Sequence, residues 1–242
     1  MYIVFDLDKT LLNEKSEVSP YTLKVLNKCK EQGHILVINT ARSLPSAKPY
    51  IETIKPHYSI LNAGGLVIDD KFLVLYEKVM SANEVNKIIK SILPVTSKIS
   101  VETIDGLLSN DPTYQNPLST YDDLSNIKLP CYKILPYVAD LEEYYKIVGN
   151  ISAYNTRYES SPWHRISASS KYLGLIELLK ITKHDFSECI SFGDDFSDLE
   201  MLEKANGVAM ANSIPEVLEK IKKVTKSNVL DGVAWYLENN IL

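Results

Sequence analysis

The 242-residue sequence predicts an α/β protein with a parallel sheet at its core and an α+β segment inserted into it. Short apolar runs at 2–5, 34–38, 59–61 and 189–192 end in polar residues, and most are followed by helical spacing. Strands that alternate with helices in this way typically form a parallel sheet covered by helices on both faces. This pattern predicts a Rossmann-like core.

The first part of the core contains local signals for two helices. Ser19 and Pro20 predict a helix start, because serine caps helices and proline is tolerated in the first turn. Gly33 predicts the end of that helix. A second helix is predicted after Ser43, and the third apolar run ends at Asn62.

The insert is predicted to span residues 82–166, which leaves 1–81 and 167–242 as the core. It begins with a helix for which Ser81 and Glu84 predict a capping box. Strands close together in sequence follow, with one helix among them, which is typical of an α+β unit. These strands are predicted at 98–102, 107–109, 132–138, 151–158 and 164–167, and the helix at 141–148.

The last third of the chain returns to the alternating pattern. Helices are predicted at 171–181 and 198–204, with strands at 189–192 and 208–210. Ser213 and Glu216 predict a capping box for the next helix, and Asp231 is predicted to cap the last one.

The composition limits the classes of partner. The net charge of −5 and the lack of a basic run argue against nucleic acid or an anionic membrane as the main partner. Three cysteines without a CxxC pair argue against a thiolate zinc site. No apolar run approaches the roughly 20 residues of a membrane span, and the N-terminal run is too short for a signal peptide. We therefore expect a cytoplasmic monomer or small homo-oligomer.

Carboxylates cluster where two predicted strands end. Asp6 and Asp8 follow the first strand, and side chains two residues apart in an extended chain point the same way. Two adjacent carboxylates repel each other unless a cation lies between them, and Mg²⁺ prefers oxygen ligands. The alternative is that Asp6 merely ends the strand and Asp8 caps a turn. Asp194 and Asp198 follow a later strand, which favours the metal site.

The remaining members of this set are a hydroxyl and an ammonium. Thr40 ends another strand, and Lys171 begins a helix. Because the carboxyl ends of parallel strands meet at one edge, we expect these groups to lie close together there. Carboxylates, a metal, a hydroxyl and a lysine are the groups that phosphoryl transfer requires.

The sequence resembles the haloacid dehalogenase (HAD) superfamily in four motifs. They are DxDxT at Asp6–Thr10, Thr40 at a strand end, Lys171, and GDxxxD at Gly193–Asp198. The insert resembles the type IIB cap of the Cof-type phosphatases, and the segments 207–212 and 231–234 are also similar to that family. The resemblance covers both parts of the core.

This resemblance implies roles for the motif residues. Asp6 would be the nucleophile, and Asp8 the general acid and then the general base. Mg²⁺ would be held by Asp6, the backbone carbonyl of Asp8 and Asp194, with Asp198 supporting the metal through water. The phosphoryl oxygens would be bound by Thr40 and Lys171.

Three weaker substrate-binding candidates accompany the motifs. Arg42 could contact the substrate or pair with an acid at the surface, and Asn62 could bind the substrate or form a simple turn. Ser197 replaces the asparagine that the family usually has before its last aspartate, which leaves one polar contact near the phosphate open. Lys9 and Ala41 also depart from the usual glycines.

The expected activity is Mg²⁺-dependent hydrolysis of a small phosphorylated metabolite, above all a sugar phosphate. A trehalose-phosphate-type disaccharide phosphatase, a phosphomutase and a non-catalytic phosphate sensor are the alternatives. A sensor would need neither a nucleophile nor an acid, so Asp6 and Asp8 argue against it. We expect the insert to select the leaving alcohol, since the core binds only the phosphoryl group that every monoester shares.

Overall fold

The computed structural model describes residues 1–111, 119–120, 124–151, 153–157 and 161–242. The chain divides into two compact units. The first unit comprises 1–77 and 171–242, and the second unit is the insert between them, 78–170. The second unit is thus four residues longer at each end than the predicted insert.

The strands of the described residues are short, and most are buried. In chain order they are β1 (Tyr2–Phe5), β2 (Ile35–Asn39), β3 (Tyr58–Leu61), β4 (Leu66–Asp69), β5 (Val74–Glu77), β6 (Thr96–Thr103), β7 (Gly106–Ser109), β8 (Ser119–Thr120), β9 (Cys131–Val138), β10 (Tyr154–Arg157), β11 (His164–Ser167), β12 (Cys189–Gly193) and β13 (Gly207–Ala209). Most of the predicted strands are observed. Of the strand predicted at 151–158, residues 152 and 158 lie outside the described residues.

The α-helices of the described residues have between six and twelve residues. They are α1 (Pro20–Glu31), α2 (Leu44–Ile54), α3 (Ala82–Ile92), α4 (Leu141–Val148), α5 (Lys171–Thr182), α6 (Phe196–Lys204), α7 (Pro215–Lys220) and α8 (Gly232–Asn240).

The first unit is built on a seven-stranded sheet with the order β13-β12-β1-β2-β3-β4-β5. β1 lies at the centre of the five parallel strands, β13-β12-β1-β2-β3, and pairs in parallel with β12 on one side and β2 on the other. All four residues of β1 are buried, as expected for a parallel strand covered on both faces. From β1 the chain adds strands β2 to β5 on one side of the sheet, and later β12 and β13 on the other side. The strand order therefore reverses between β1 and β12, which makes this position a topological switch point.

The prediction of an α/β fold with an inserted α+β segment is confirmed, but the core sheet is larger than predicted. β4 and β5 extend it as an antiparallel hairpin beside β3. The Asp69 carboxylate shapes the hairpin turn by accepting bonds from the backbone N–H groups of Lys71 and Leu73. No α-helix separates β3, β4 and β5, so the strand–helix alternation that predicts the parallel strands does not reveal this hairpin.

Two predicted helix caps are wrong. α7 begins at Pro215 with Ile214 in the cap position, so Ser213 lies one residue too early, and its hydroxyl instead donates to the Gly193 carbonyl. Asp231 does precede α8, but its side chain does not cap that helix. The Asp231 carboxylate accepts hydrogen bonds from the hydroxyls of Ser19 and Thr22, and so ties α8 to the start of α1.

The second unit contains a six-stranded sheet with the order β10-β11-β9-β6-β7-β8. Most of its described pairs are antiparallel. Apolar residues of α3 and α4, including Ile89 and Tyr144, share a core with sheet residues such as Val101 and Ile134. This is the α+β arrangement that the sequence predicts.

Close backbone packing fixes α5 against the first sheet. A Cβ atom at Gly174 would lie 2.5 Å from Ile60 Cγ2 and 2.6 Å from the Cα of Gly64. The helix can therefore approach β3 and the turn after it only because residue 174 has no side chain. This approach sets the position of Lys171, one turn earlier in the same helix.

No α-helix of the described residues has both the length and the hydrophobicity that crossing a bilayer requires.

We expect Gly174→Ala to lower the free energy of unfolding by about 1–3 kcal/mol, because the added methyl group overpacks a backbone contact. Chemical denaturation of the whole protein measures this change. Lys180→Ala, at an exposed position of the same helix, is the control and should cost less than about 0.5 kcal/mol. Equal stability of both variants and wild type would show that α5 can move away from the turn without cost.

Candidate active site

Three of the predicted site residues lie directly after neighbouring parallel strands. Asp6 follows β1, Thr40 follows β2 and Asp194 follows β12. The strand register places these ends at one edge of the sheet. All three side chains are buried, so polar groups converge where an α/β sheet typically binds its ligand.

A buried lysine joins two of the acids. Lys171 Nζ lies 2.9 Å from Asp6 Oδ1 and 2.6 Å from Asp198 Oδ1. Lys171 and Asp198 are at most 2% exposed, so both ion pairs are shielded from water. Removing one partner from such a buried cluster would leave an uncompensated charge.

The position of Lys171 is fixed from its backbone. The Asn39 side chain, at the end of β2, donates a hydrogen bond of 3.0 Å from Nδ2 to the Lys171 carbonyl oxygen. Together with the Gly174 contact, this bond anchors the first turn of α5. Neither interaction was predicted, although Asn39 directly precedes Thr40 in the second motif.

Asp198 is held by the loop that it follows. Its Oδ2 accepts hydrogen bonds of 3.3 Å from the backbone N–H groups of Asp194 and Asp195. A Cβ atom at Gly193 would lie 2.5 Å from the Asp198 Cβ. The glycine of the GDxxxD motif therefore makes room for the carboxylate that binds Lys171.

The buried acids of the cluster repel one another, and their pKa values are raised. Burial, together with the charges of Asp198 and Asp8, raises the pKa of Asp6 to about 7, although Lys171 acts to lower it. Burial, together with Asp198 and Asp6, raises the pKa of Asp194 to about 8. Burial disfavours the charged form of Lys171, but the two acids outweigh it and raise the Lys171 pKa.

The loop after β1 turns sharply and separates Asp8 from Asp6. Residues Leu7–Leu11 form one wide helical turn closed by a bond from the Leu12 N–H to the Leu7 carbonyl, and Lys9 has a φ of +57°. The Asp8 side chain is half exposed, whereas Asp6 is buried. The two carboxylates thus have different environments although the sequence predicts a common direction.

Arg42 holds the Asp8 carboxylate. Its Nε and Nη2 atoms lie 2.8 and 2.7 Å from the two Asp8 oxygens, which is a bidentate pair. Arg42 was predicted either to bind substrate or to pair with an acid, and in the structure it pairs with an acid. That acid is the predicted proton donor.

Two further side chains support the motif loop. Thr10 Oγ1 donates a hydrogen bond of 2.7 Å to Asp194 Oδ1 and so links the first and fourth motifs. Asn212 Nδ2 donates to the carbonyl oxygen of Lys9, whose left-handed backbone it steadies. Both residues lie in segments that resemble the family, but neither was predicted to have a role.

The loops after β2 and β3 are bonded to each other. The N–H of Asn62 donates to the Arg42 carbonyl, and the N–H of Ala63 donates to the Thr40 carbonyl. Thr40 Oγ1 accepts a bond from the N–H of Arg42. The Asn62 side chain is buried, and its Oδ1 has no hydrogen-bond partner among the described residues. Asn62 is therefore close to the backbone of Thr40.

Ser197 lies apart from these contacts. It is partly buried in the first turn of α6, one residue before Asp198. The described hydrogen bonds do not include its side chain among the partners of Asp6 or Lys171. Its predicted contact near the phosphate stays a prediction.

The acids have the spacing of a cation site. One carboxylate oxygen from each of Asp6, Asp194 and Asp198 lies within 4.8 Å of the others. With one lysine present, two negative charges stay uncompensated when all the acids are ionised. Hard oxygen donors with excess negative charge suit Mg²⁺, Mn²⁺ or Ca²⁺. The residues present therefore fit a divalent cation.

The site geometry agrees with the family assignment. Residues 3–237 match the family model of the haloacid dehalogenase-like hydrolases. The chain belongs to this family. The match contains all four motifs and confirms the resemblance seen in the sequence.

Curated relatives of similar length are phosphatases. The chain is 26% identical to the putative phosphatase YkrA of Bacillus subtilis, with 96% of this chain and 95% of the relative covered. It is 27% identical to the 5-amino-6-(5-phospho-D-ribitylamino)uracil phosphatase YitU of the same organism, with coverages of 98% and 96%. The prediction of an enzyme of the phosphatase class is confirmed.

Solved structures show the same fold. The HAD phosphatase BT1666 from Bacteroides thetaiotaomicron superimposes with a TM-score of 0.86 at 22% identity, covering 98% of this chain and 94% of that chain. The HAD subclass IIB sugar phosphatase BT4131 gives a TM-score of 0.82 at 20% identity, with 98% of each chain covered.

We expect Mg²⁺ to raise the melting temperature of the wild-type protein by about 2–4 °C at concentrations near ten times its dissociation constant, because a ligand of the native state stabilises that state. Asp194→Ala should remove this shift. Its metal-free melting temperature should not fall, since the substitution relieves repulsion among buried acids.

Thermal melts with and without chelator measure this effect. Asp70→Ala removes an exposed acid outside the cluster and is the control, for which the Mg²⁺ shift should be kept. An equal shift in Asp194→Ala and wild type would place cation binding elsewhere on the protein.

Proposed function

We propose that this protein is a Mg²⁺-dependent phosphatase that hydrolyses a small phosphate monoester through an aspartyl-phosphate on Asp6. The observation that carries the proposal is the buried contact of 2.9 Å between Asp6 and Lys171, beside Asp194 and Asp198 at the sheet edge. Lys171 favours the ionised form of Asp6, which is the form that can attack phosphorus. Its ammonium also offers positive charge to phosphoryl oxygens.

The reaction has two displacements at phosphorus. In the first, an Asp6 oxygen bonds to phosphorus, the bond to the leaving alcohol breaks, and Asp8 gives the departing oxygen a proton. In the second, a water attacks the aspartyl-phosphate, Asp8 takes a proton from that water, and inorganic phosphate leaves. Thr40 and Lys171 bind phosphoryl oxygens throughout, and Asp6 returns to its starting state.

The different environments of the two aspartates suit these different roles. Asp6 is buried beside the ammonium of Lys171, which favours the charged carboxylate that can attack phosphorus. Asp8 is half exposed, so it can exchange protons with water, and when one of its oxygens carries a proton the bond from Arg42 to the other oxygen can keep its direction. Pairs of carboxylates in contrasting settings commonly divide acid–base and nucleophilic work.

The cation would be held by Asp6, Asp194 and the backbone carbonyl of Asp8, with Asp198 supporting it through a water molecule. When bound, Mg²⁺ supplies positive charge that balances the acids and the phosphoryl oxygens. The carboxylates are positioned by the protein itself. Thr10 directs the Asp194 carboxylate through a hydrogen bond, and Gly193 leaves the space that the Asp198 carboxylate occupies.

The substrate that we propose is a small phosphorylated metabolite, with sugar phosphates as the first class to test. The relative YbhA of Escherichia coli, 23% identical, is a pyridoxal phosphate phosphatase, and YitU acts on a phosphorylated ribityl compound. The structural neighbour BT4131 is a sugar phosphatase. A panel of hexose, pentose, ribityl and pyridoxal phosphates, assayed for phosphate release and ranked by kcat/KM, would identify the substrate class.

We expect Asp6→Asn to lower kcat by at least about 10³-fold, because the amide cannot act as a nucleophile. Phosphate release from the best substrate of the panel measures this loss, and circular dichroism checks the fold. Asp70→Asn is the matched control and should keep full activity. Activity of Asp6→Asn near the wild-type level would remove Asp6 from the mechanism.

The same assay on the wild-type protein tests the mutase alternative. Transfer of phosphate back to the substrate, in place of release of free phosphate, would indicate a mutase.

We expect Asp8→Asn to lower kcat/KM for alkyl and sugar phosphates by about 10²–10⁴-fold, the usual contribution of a general acid. The loss for 4-nitrophenyl phosphate should be much smaller, since its leaving group departs without a proton. Measuring kcat/KM for both substrate types isolates the first displacement. Equal losses for both types would contradict the assignment of Asp8 as the proton donor to the leaving group.

A further inference from the structure

The guanidinium of Arg42 is held both at its edges and on one face. Its Nε and Nη2 atoms donate to the Asp8 carboxylate, and its Nη1 atom donates to the Ser46 carbonyl oxygen at 3.3 Å. Its central carbon lies 4.8 Å from the centre of the Tyr50 ring, which is within the range of a cation–π contact. All three nitrogen atoms of the group therefore have hydrogen-bond partners, and an aromatic ring limits its movement on one side.

Tyr50 belongs to α2 but is also bonded to the chain that follows the Asp8 turn. The Tyr50 side chain is partly buried, and its hydroxyl donates a hydrogen bond of 3.1 Å to the Ser16 carbonyl oxygen. Ser16 lies in a tight turn, which is closed by a bond of 2.9 Å from its N–H to the Asn13 carbonyl oxygen. The aromatic ring that contacts Arg42 is therefore anchored by its own hydroxyl.

These contacts bear on catalysis because a general acid must point at the oxygen that receives its proton. The backbone of Arg42 is fixed at the end of β2, since its N–H donates to the Thr40 hydroxyl and its carbonyl accepts from the Asn62 N–H. A long arginine side chain still has many rotamers, and ordering them costs entropy. The Tyr50 ring restricts these rotamers to those in which the guanidinium can bind Asp8.

We propose that Tyr50 is a positioning residue for the proton transfer by Asp8, and that it acts through Arg42. This inference rests on the proposed function, in which Asp8 protonates the leaving alcohol. The Tyr50 ring keeps the guanidinium directed at the Asp8 carboxylate, and the bond to Ser16 keeps the ring in place. A residue on α2 thereby controls the direction of a carboxylate that follows β1.

The dependence of activity on the leaving group tests this role. Tyr50→Leu removes the ring and should lower kcat/KM for the best alkyl or sugar phosphate by about tenfold, because the proton donor is then misdirected. The loss for 4-nitrophenyl phosphate should stay within about twofold, since its leaving group departs without a proton. Tyr50→Phe keeps the ring face and should retain kcat/KM for both substrates within about threefold of wild type. Thr53→Ala, at an exposed position of α2, is the control and should match wild type.

A double-mutant cycle tests whether Tyr50 acts through Arg42. Arg42→Ala should show the same dependence on the leaving group, with a loss at least as large as that of Tyr50→Leu. When Tyr50→Leu is added to Arg42→Ala, kcat/KM should change by less than about twofold, because the guanidinium that Tyr50 positions is already absent. Two independent roles would instead give the product of the two single losses.

The outcomes separate this inference from the proposed function. If the loss in Asp8→Asn depends on the leaving group but the loss in Tyr50→Leu does not, Tyr50 has no positioning role and the proposed function stands. If the loss in Asp8→Asn does not depend on the leaving group, the proposed function fails and this inference fails with it.

Two further results would overturn the inference alone. They are losses that multiply in the double variant, and a loss in Tyr50→Phe as large as that in Tyr50→Leu, which would exclude a role for the ring. Circular dichroism and melting temperature identify a variant that has lost its fold. Tyr50→Met, which also lacks the ring, takes the place of Tyr50→Leu in that case.

Discussion

The buried ammonium of Lys171, set between Asp6 and Asp198, is the interaction on which the candidate site depends. It joins the end of β1, the start of α5 and the first turn of α6, which lie far apart in sequence. Burying three charges is favourable only when their geometry is good, and two glycines allow that geometry. Gly174 lets α5 approach the sheet, and Gly193 leaves space for the Asp198 carboxylate.

The second organising feature is the sharp turn after β1. An extended chain would place Asp6 and Asp8 in the same surroundings. In the wide helical turn, Lys9 has a left-handed conformation. The turn instead leaves Asp6 buried and places the half-exposed Asp8 where it pairs with Arg42. Asn212 donates a hydrogen bond to the Lys9 carbonyl, and Thr10 bonds the turn to Asp194. Local backbone shape thus produces two chemically different carboxylates from one short motif.

Much of this arrangement was predictable from sequence, because strand ends in a parallel sheet share an edge. That rule predicts that Asp6, Thr40 and Asp194 lie at the same edge of the sheet, as they do in the structure. The pairing of Arg42 with Asp8 could not be derived, since residue spacing does not specify the direction of long side chains. The hairpin of β4 and β5 was missed because no α-helix separates these strands from β3, so the strand–helix alternation does not reveal them. The prediction that the Asp231 side chain caps α8 failed because its carboxylate instead accepts bonds from the hydroxyls of Ser19 and Thr22, which are distant in sequence.

The order of the strands along the chain has a consequence for biosynthesis. β1 and β12 are neighbours in the sheet but are separated by more than half of the chain, and Asp231 ties the last helix to the first. The insert, 78–170, is contiguous and leaves the ribosome before β12 does. Because chains emerge from the N-terminus, the insert can fold while β1 still lacks its neighbour β12 on one side. The nascent chain therefore carries an apolar β1 with one open side until β12 has been synthesised.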